Sequence, residues 1–124
     1  MDMDMNVLLV DDFSTMRRIL KKALKVIGFN NFIEAEDGKD AIEKLKKDDV
    51  DLIFCDWNMP NMTGLDFLKY VRSKDKLKDI PFIMVTAEGQ KANVIEAVDA
   101  GVSNYIIKPF TADTVKEKLN KVFK

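Results

Sequence analysis

The sequence predicts one α/β domain in which five βα units form a doubly wound parallel sheet. Short apolar runs alternate with amphipathic stretches along the 124 residues, as repeated βα units require. Each run is too apolar for a half-exposed strand, which is typical of a sheet covered on both faces. The length suits one core, and no Gly/Ser linker, low-complexity run or internal repeat divides the chain, so residues 1–124 are expected to form one unit.

Five apolar runs are the predicted strands. Each is four residues long, which fits a buried parallel strand better than a helix. In chain order they are Val7–Val10, Phe32–Ala35, Leu52–Cys55, Phe82–Val85 and Asn104–Ile107.

Helical spacing of apolar residues predicts the five connecting helices. In the first helix one face is formed by Met16, Ile19, Leu20, Ala23, Leu24 and Ile27, and Gly28 ends it. The second should run from about Lys39 to Lys47 with Ile42 and Leu45 inward, and the third from Gly64 to Arg72 with Leu65, Leu68 and Val71 inward. The fourth carries Val94, Ala97 and Val98 before Gly101, and the fifth carries Val115, Leu119 and Val122 after the N-cap Thr111.

Composition excludes several classes of function. Twenty basic and 21 acidic residues leave a net charge of −1, which does not indicate a nucleic-acid or membrane surface. The first residues resemble neither a signal peptide nor a membrane span, so a cytoplasmic monomer is expected. The single Cys55 cannot form an internal disulfide and is expected to be a buried thiol. The absence of histidine excludes Ser-His and Cys-His catalysis, His-ligated zinc and a phosphohistidine within this chain.

Polar residues stand at the carboxyl ends of four predicted strands. Asp11 and Asp12 follow the first strand, Asp56 ends the third, Thr86 follows the fourth and Lys108 follows the fifth. Ligands of open α/β sheets bind at this edge, and 2-1-3-4-5 is one of the common strand orders of such sheets. These side chains are therefore expected to form one site.

The aspartates of this site predict a magnesium ion. Two carboxylates about 4 Å apart repel by roughly 4 kcal/mol at an effective dielectric near 20, and a divalent cation cancels that cost. Mg²⁺ fits because the ligands are hard oxygens and few come from protein. Asp12, Asp56 and the backbone carbonyl of Asn58 are the predicted ligands, with Asp11 acting through water. Taken alone, Asp11 and Asp12 could equally be a strand-end loop with a helix cap.

Thr86 and Lys108 indicate what the metal is for. A carboxylate that attacks phosphorus needs its own charge and that of the incoming group offset. Lys108 would supply a positive charge and Thr86 a hydroxyl donor. Either residue alone is ordinary, since a Thr after a strand is usually a turn residue and a Lys there a solvated charge. Only the combination indicates phosphoryl transfer to Asp56.

The same residues resemble a known family. The motifs are Val10-Asp11-Asp12, Asp56 with Met59-Pro60, Val85-Thr86-Ala87 and Lys108-Pro109-Phe110. They are similar to the signature of response-regulator receiver domains, and residues 12–18, 56–62 and 108–111 resemble the chemotaxis members of that family. The resemblance covers the whole chain and implies a flavodoxin-like fold.

The resemblance also implies partners and roles. Asp56 would take a phosphoryl group from a phosphohistidine on a CheA-like histidine kinase, and Asn58 and Glu88 would influence the water that later hydrolyses it. Lys108-Pro109 would be a cis peptide. Thr86 and Tyr105 would couple the site to a surface that binds a FliM-like flagellar switch protein, and a phosphatase is a further possible partner. That surface comprises Lys91, Val94, Tyr105, Ile107, Phe110, Thr111 and Lys118.

Two positions depart from the family pattern. Thr63 stands where an Asp is common, and with Asp66 it predicts a capping box, a structural role. Gly89 and Gln90 replace less flexible and more basic residues, which makes affinity for the output partner or a phosphatase less secure.

Three other functions could use an acidic site on a similar sheet. A haloacid-dehalogenase-type phosphatase needs an acid two residues after its nucleophilic Asp, and Asn58 cannot act as one. A flavodoxin-like nucleotide-binding module would need a Gly/Ser/Thr-rich phosphate loop where Asp11, Asp12 and Phe13 stand. A stand-alone receiver in a non-motor phosphorelay would have an unchanged site, so it stays open as an alternative to a motor regulator.

Overall fold

The computed structural model describes residues 1–87 and 91–123. Within them, strands and helices alternate along the chain as the apolar pattern predicts. The elements are β1 (Asn6–Val10), α1 (Ser14–Ile27), β2 (Asn31–Ala35), α2 (Gly38–Lys47), β3 (Leu52–Asp56), α3 (Gly64–Ser73), β4 (Phe82–Thr86), α4 (Lys91–Asp99), β5 (Asn104–Ile107) and α5 (Ala112–Val122).

The strands form one parallel sheet in the order β2-β1-β3-β4-β5, which confirms the predicted topology. The register places the strand ends at one level: Val10 pairs with Cys55, and Asp56 pairs with Val85. On the other side of β4, Thr86 pairs with Ile107, the residue before Lys108. The polar residues at these ends are therefore brought to the same edge by backbone pairing alone.

Alternation along the strands creates two cores, one on each face of the sheet. Val7, Leu9, Phe54 and Ile83 belong to the core that packs against α1 and α5. The opposite face contributes to a second core that packs against α2 and α3, with strand residues Leu8, Val10, Ile53, Cys55, Phe82 and Met84. Because both faces are covered, every residue of β3 and β4 is buried, as expected for central strands.

The edge strands differ from the prediction that every strand is fully buried. In β2 only Ala35 is buried, and Asn31 and Glu34 are exposed. In β5 only Ile106 is buried, and Ile107 is exposed. Each edge strand has a neighbour on one side alone, so part of its surface stays open to solvent.

Helix ends follow the predicted caps. Gly28 ends α1 with φ of 132°, a backbone angle that glycine adopts without strain. Side-chain oxygens of Thr63 and Thr111 accept from the backbone N–H groups of Asp66 and Thr114, at 3.1 and 3.2 Å. These two N-caps confirm the structural interpretation of Thr63 and the predicted start of α5.

Three predicted packing assignments are wrong. Ile19 in α1 is 48% exposed and Val98 in α4 is 58% exposed, although helical spacing placed both inward. In α3 the buried face runs through Phe67, Leu68 and Val71, and Leu65 is only half-buried. In each helix the stripe that contacts the sheet is narrower than the apolar stripe, so residues at its border face solvent.

No helix in the described ranges is both long and apolar enough to cross a membrane.

Candidate functional site

The candidate site lies at the carboxyl edge of the sheet, around four neighbouring strands. Asp11 follows β1, Asp56 is the last residue of β3, Thr86 is the last residue of β4 and Lys108 follows β5. Asp11, Asp56 and Thr86 are buried. A buried polar group is costly unless it has a partner, so three of them at one edge indicate a constructed polar site.

Three carboxylates approach one another closely at this edge. One oxygen from each of Asp11, Asp12 and Asp56 lies within 4.8 Å of the others. Asp12 is exposed, whereas the other two are buried. The cluster is therefore open to solvent on the side of Asp12, and a cation could enter from there.

Lys108 lies between the two buried carboxylates. Its Nζ donates to Oδ1 of Asp56 at 3.1 Å and to Oδ2 of Asp11 at 3.4 Å. Its backbone N–H donates to the carbonyl of Thr86 at 2.7 Å, which ties the residue to the end of β4. The Lys108-Pro109 peptide is cis, as the family resemblance implies.

The environment of Asp56 opposes its negative charge. Burial raises the pKa of Asp56 above its ordinary 3.8, and the charge of Asp11 raises it further, while Lys108 and a backbone hydrogen bond from Trp57 offset part of the rise. The carboxylate is thus held in a place that favours loss of charge. Binding a cation relieves this cost.

Cys55 precedes Asp56 and was predicted to be a buried thiol, which is confirmed. Burial raises the pKa of the Cys55 thiol well above its ordinary value, and the charges of Asp56 and Asp11 act in the same direction. Its Sγ donates to the backbone oxygen of Asp56 at 3.3 Å. Because the thiolate is the metal-binding form, Cys55 does not compete with the carboxylates for a metal.

The loop between β3 and α3 is held close to the end of β3. The N–H of Gly64 donates to the carbonyl of Trp57 at 2.8 Å, and a Cβ on Gly64 would overlap the backbone oxygen of Asp56. Asn61 has φ of 70°, a left-handed conformation that Asn tolerates. Asn58 is exposed in this loop. The role of its backbone carbonyl as a metal ligand stays a prediction.

Thr86 and Tyr105 line the same small cavity. The cavity measures about 10 Å³ and lies between α4 and the sheet. Trp57 and Val94 also line it, so the loop after Asp56 and the predicted output helix α4 meet there. This geometry provides a direct path from the site to the α4 side of the molecule.

The predicted output surface is partly brought together. Val94, Tyr105 and Lys118 are half-buried, whereas Ile107 and Thr111 are exposed. Phe110 packs against the core between α1 and α5, so less of it is available at the surface than predicted. Glu88, Gly89 and Gln90 lie outside the described residues, and so does the side chain of Lys91.

One contributor to the site was missed by sequence reasoning. Arg17 in α1 donates from Nη1 to the backbone oxygen of Asp11 at 2.6 Å and from Nε to Oε1 of Glu34 at 3.0 Å. The sequence offered only a weak signal, an Arg in a basic helix and an isolated Glu in an apolar strand. Neither suggests a contact until the β1–β2 pairing is known.

The donor set fits Mg²⁺. The described residues of the site supply carboxylate oxygens, and the neighbouring thiol is held neutral. Hard oxygen ligands in small number suit Mg²⁺, which retains water ligands, better than Ca²⁺, which needs six to eight oxygens, or Zn²⁺, which prefers nitrogen and sulfur.

Comparisons with known proteins agree with this geometry. Residues 7–120 match the model of the response regulator receiver domain. The chain is 55% identical over 120 residues to the chemotaxis protein CheY-3 of Vibrio cholerae, covering 97% of this chain and 92% of that protein. It is 51% identical to the chemotaxis protein CheY of Pseudomonas aeruginosa, covering 96% of each. The solved structure of chemotaxis response regulator CheY4 of Vibrio cholerae matches with a TM-score of 0.87 and 34% identity, covering 96% of this chain and 98% of that one.

Proposed function

Since the chain belongs to the response regulator receiver domain family, we propose that it is a chemotaxis switch that accepts a phosphoryl group on Asp56. The donor would be a phosphohistidine on a CheA-like histidine kinase in the cytoplasm. The observation that carries this proposal is the position of Asp56: one buried carboxylate contacts the Lys108 ammonium and also lies within the acidic cluster with Asp11 and Asp12.

Residues of this chain would carry the transfer as follows. A carboxylate oxygen of Asp56 attacks phosphorus, the bond from phosphorus to the kinase imidazole nitrogen breaks, and the imidazole leaves. Lys108 would balance the charge that accumulates on the phosphoryl oxygens, and the hydroxyl of Thr86 would donate to one of them. Asp11, Asp12, Asp56 and the carbonyl of Asn58 would hold Mg²⁺, which supplies charge neutralisation when bound.

Reversal of the signal requires hydrolysis of the acyl phosphate. Water attacks phosphorus and the Asp56 carboxylate is released with inorganic phosphate. Asn58 lies two residues after Asp56, and Glu88 lies two residues after Thr86 at the end of β4. Because of these positions, both residues are proposed to influence this water. The chain would then act on itself alone and would not be an enzyme with an external substrate.

The output is proposed to pass through the cavity shared by Thr86 and Tyr105. A new phosphoryl oxygen would draw the Thr86 hydroxyl toward Asp56, which opens space into which the Tyr105 ring can turn. A charge-assisted hydrogen bond contributes about 1.5 to 3 kcal/mol. Swinging an equilibrium from 1:99 to 99:1 takes about 5.5 kcal/mol, so partner binding must complete the change.

The partner is proposed to be a FliM-like flagellar switch protein that binds the surface formed by α4, β5 and α5. By linkage, a partner that prefers the phosphorylated form also stabilises that form. The 55% and 51% identity to chemotaxis proteins favours this output over a non-motor phosphorelay.

Intact-mass analysis tests the proposal directly. The protein is incubated with Mg²⁺ and a small acyl phosphodonor, and it should gain the mass of one phosphoryl group. Asp56→Asn should gain none, and omission of Mg²⁺ should reduce the yield of the modified wild type. An equal gain in Asp56→Asn would overturn the assignment of the acceptor.

A pull-down with and without a stable phosphoryl mimic tests the output. Enrichment of a flagellar switch protein by the mimic-bound form supports the motor role. Enrichment of a histidine phosphotransfer protein or an enzyme in its place would support the phosphorelay.

A further inference from the structure

Arg17 links the acidic loop to the neighbouring edge strand. It lies in the first turns of α1, with 17% of its side chain exposed. One guanidinium nitrogen contacts the backbone oxygen of Asp11, and another contacts Glu34 on β2. The second carboxylate oxygen of Glu34 lies 3.6 Å from Nζ of Lys21. This second ion pair restrains the carboxylate that contacts Arg17.

The oxygen that Arg17 contacts belongs to the peptide bond between the two clustered aspartates. Because a peptide unit is planar, fixing this oxygen fixes the plane that contains the Cα atoms of both Asp11 and Asp12. The directions in which the two side chains leave the backbone depend on that plane together with the ψ angle of Asp11 and the φ angle of Asp12.

The same peptide segment is anchored on its other side as well. The N–H of Asp11 donates to the carbonyl of Ala35 at 3.1 Å, and Oδ1 of Asp11 accepts from the N–H of Phe13 at 2.9 Å. Asp11 is therefore tied to β2 twice, once directly through Ala35 and once through Arg17 and Glu34. Arg17 is the part of this arrangement that a substitution can remove without changing the backbone.

We propose that Arg17 is a positioning residue of the metal centre. It orients the Asp11–Asp12 segment so that two of the three carboxylates converge on one cation. The inference rests on the proposed function, since it requires that the cluster binds Mg²⁺. It assigns a role to Arg17 and Glu34 that neither the motifs nor the acidic cluster itself indicates.

Positioning and simple charge predict opposite results at this residue. Arg17 lines a cavity of about 10 Å³ together with Asp11 and Asp56, so its positive charge lies near the acidic cluster and repels a cation. If only charge mattered, removing Arg17 would strengthen Mg²⁺ binding. If orientation matters, removing it should weaken binding, as loss of residues that orient metal ligands commonly does by about tenfold or more.

The experiment is a titration of Mg²⁺ against the fluorescence of Trp57, which adjoins Asp56. Arg17→Gln removes both the charge and the contacts. Arg17→Lys keeps the charge but has a single nitrogen, which cannot replace the planar guanidinium that contacts Asp11 and Glu34 together. Arg18→Gln is the matched control, since Arg18 is an exposed neighbour and makes no hydrogen bond or ion pair with the described part of the chain.

Both Arg17 variants should bind Mg²⁺ about tenfold more weakly than wild type, and Arg18→Gln should not. Unfolding midpoints without Mg²⁺ identify any variant that fails to fold, in which case the other Arg17 variant decides. Unchanged or tighter binding by Arg17→Gln, or wild-type binding by Arg17→Lys, would overturn the inference.

Failure of the proposed function gives a different pattern. If wild type itself does not bind Mg²⁺, both the metal site and the role of Arg17 are overturned. If wild type binds Mg²⁺ and is phosphorylated on Asp56 while the Arg17 variants bind equally well, only the positioning role is lost.

Discussion

The ammonium of Lys118 lies over the ring of Tyr105, 4.9 Å from its centroid. Lys118 is in α5 and Tyr105 is in β5, so this cation–π contact joins two elements of the predicted output surface. Tyr105 also lines the cavity that it shares with Thr86. The lysine therefore contacts the aromatic ring whose movement is proposed to transmit the signal.

Removing this contact should lower the free energy of unfolding only slightly. That loss should occur only when Tyr105 is present. Lys118→Gln is expected to lower the free energy of unfolding by about 0.5 to 1 kcal/mol, the usual size of a cation–π contact near the surface. The same change in a Tyr105→Leu background should cost nothing measurable. Urea denaturation of the four proteins in a double-mutant cycle measures the coupling, with Lys116→Gln as the control on the exposed side of α5. Equal costs in both backgrounds would contradict the coupling.

Lys108 is expected to compete with the metal. Its ammonium contacts both Asp11 and Asp56, and a unit charge about 4 Å away is worth roughly 4 kcal/mol at an effective dielectric near 20. After screening by solvent we expect Lys108→Ala to bind Mg²⁺ about tenfold more tightly, a difference of about 1.4 kcal/mol. Titration of Trp57 fluorescence measures it, and Lys69→Ala, an exposed lysine on α3, should bind as wild type does.

The same variant should separate phosphorylation from output. Lys108→Ala retains the acceptor and the acidic cluster, so it should still form the acyl phosphate, but it lacks the cation that would pull the phosphoryl group toward β5. Capture of the switch protein after phosphorylation should fall to near the unphosphorylated level. Normal capture by the phosphorylated variant would show that Lys108 is not needed for output.

The raised pKa of Asp56 predicts a stability that depends on pH. Burial and then Asp11 raise this pKa above 3.8, so between 3.8 and the raised value the folded state binds more protons than the unfolded state. Without Mg²⁺, the contribution of Asp56 is therefore fully present below pH 3.8 and is lost as pH rises through the raised pKa. Above the raised pKa the ionised side chain destabilises the fold relative to a neutral one.

Asp56→Asn isolates this effect, because it removes the titration and leaves other carboxylates in place. The excess stability of Asp56→Asn over wild type should be small near pH 3.8, should grow as pH rises, and should then level off. Added Mg²⁺ should stabilise wild type at neutral pH more than the variant. Chemical denaturation at several pH values gives the difference, and a difference that does not change with pH would refute the prediction.

Gly64 should be intolerant of any side chain. A Cβ there would overlap the backbone oxygen of Asp56 and would lie 3.0 Å from Cα of Trp57, and neither backbone atom can move without moving the site. Gly64→Ala is expected to destabilise by about 1 to 3 kcal/mol and to weaken Mg²⁺ binding. Gly38→Ala is the comparison, since the three atoms nearest its Cβ all belong to the side chain of Met62, which would have to shift without moving the backbone of the site. Equal costs for the two variants, by urea denaturation, would contradict this explanation.

Most of the fold could be predicted because local pattern and global topology agree. Four-residue apolar runs identified all five strands, and the structure extends four of them by one residue. Asp56 and Thr86 are examples: they end β3 and β4 as ladder residues, although polarity alone would place them in loops. The lower burial of the edge strands β2 and β5 could not be predicted from their apolar runs. Their exposure arises because each has a neighbouring strand on only one side.

The sequence predicts which residues come together at the candidate site, but it does not predict the contacts that hold them in place. Strand ends in a parallel sheet meet at one edge, so the sequence alone predicts that Asp11, Asp56 and Lys108 lie together. The contacts from Arg17 to Asp11 and Glu34, and from Lys118 to Tyr105, depend on helix placement and side-chain direction. Sequence periodicity does not specify either.

The contact between Lys108 and Asp11 spans 97 residues of the chain, and the strand that leads to Lys108 is the last one. The chain must therefore be synthesised as far as β5 before this lysine can reach the two aspartates. A growing polypeptide that has released β1 and β3 but not β5 carries Asp11 and Asp56 without the positive charge of Lys108. The two buried carboxylates thus repel each other, with no lysine between them, until β5 is added to the sheet.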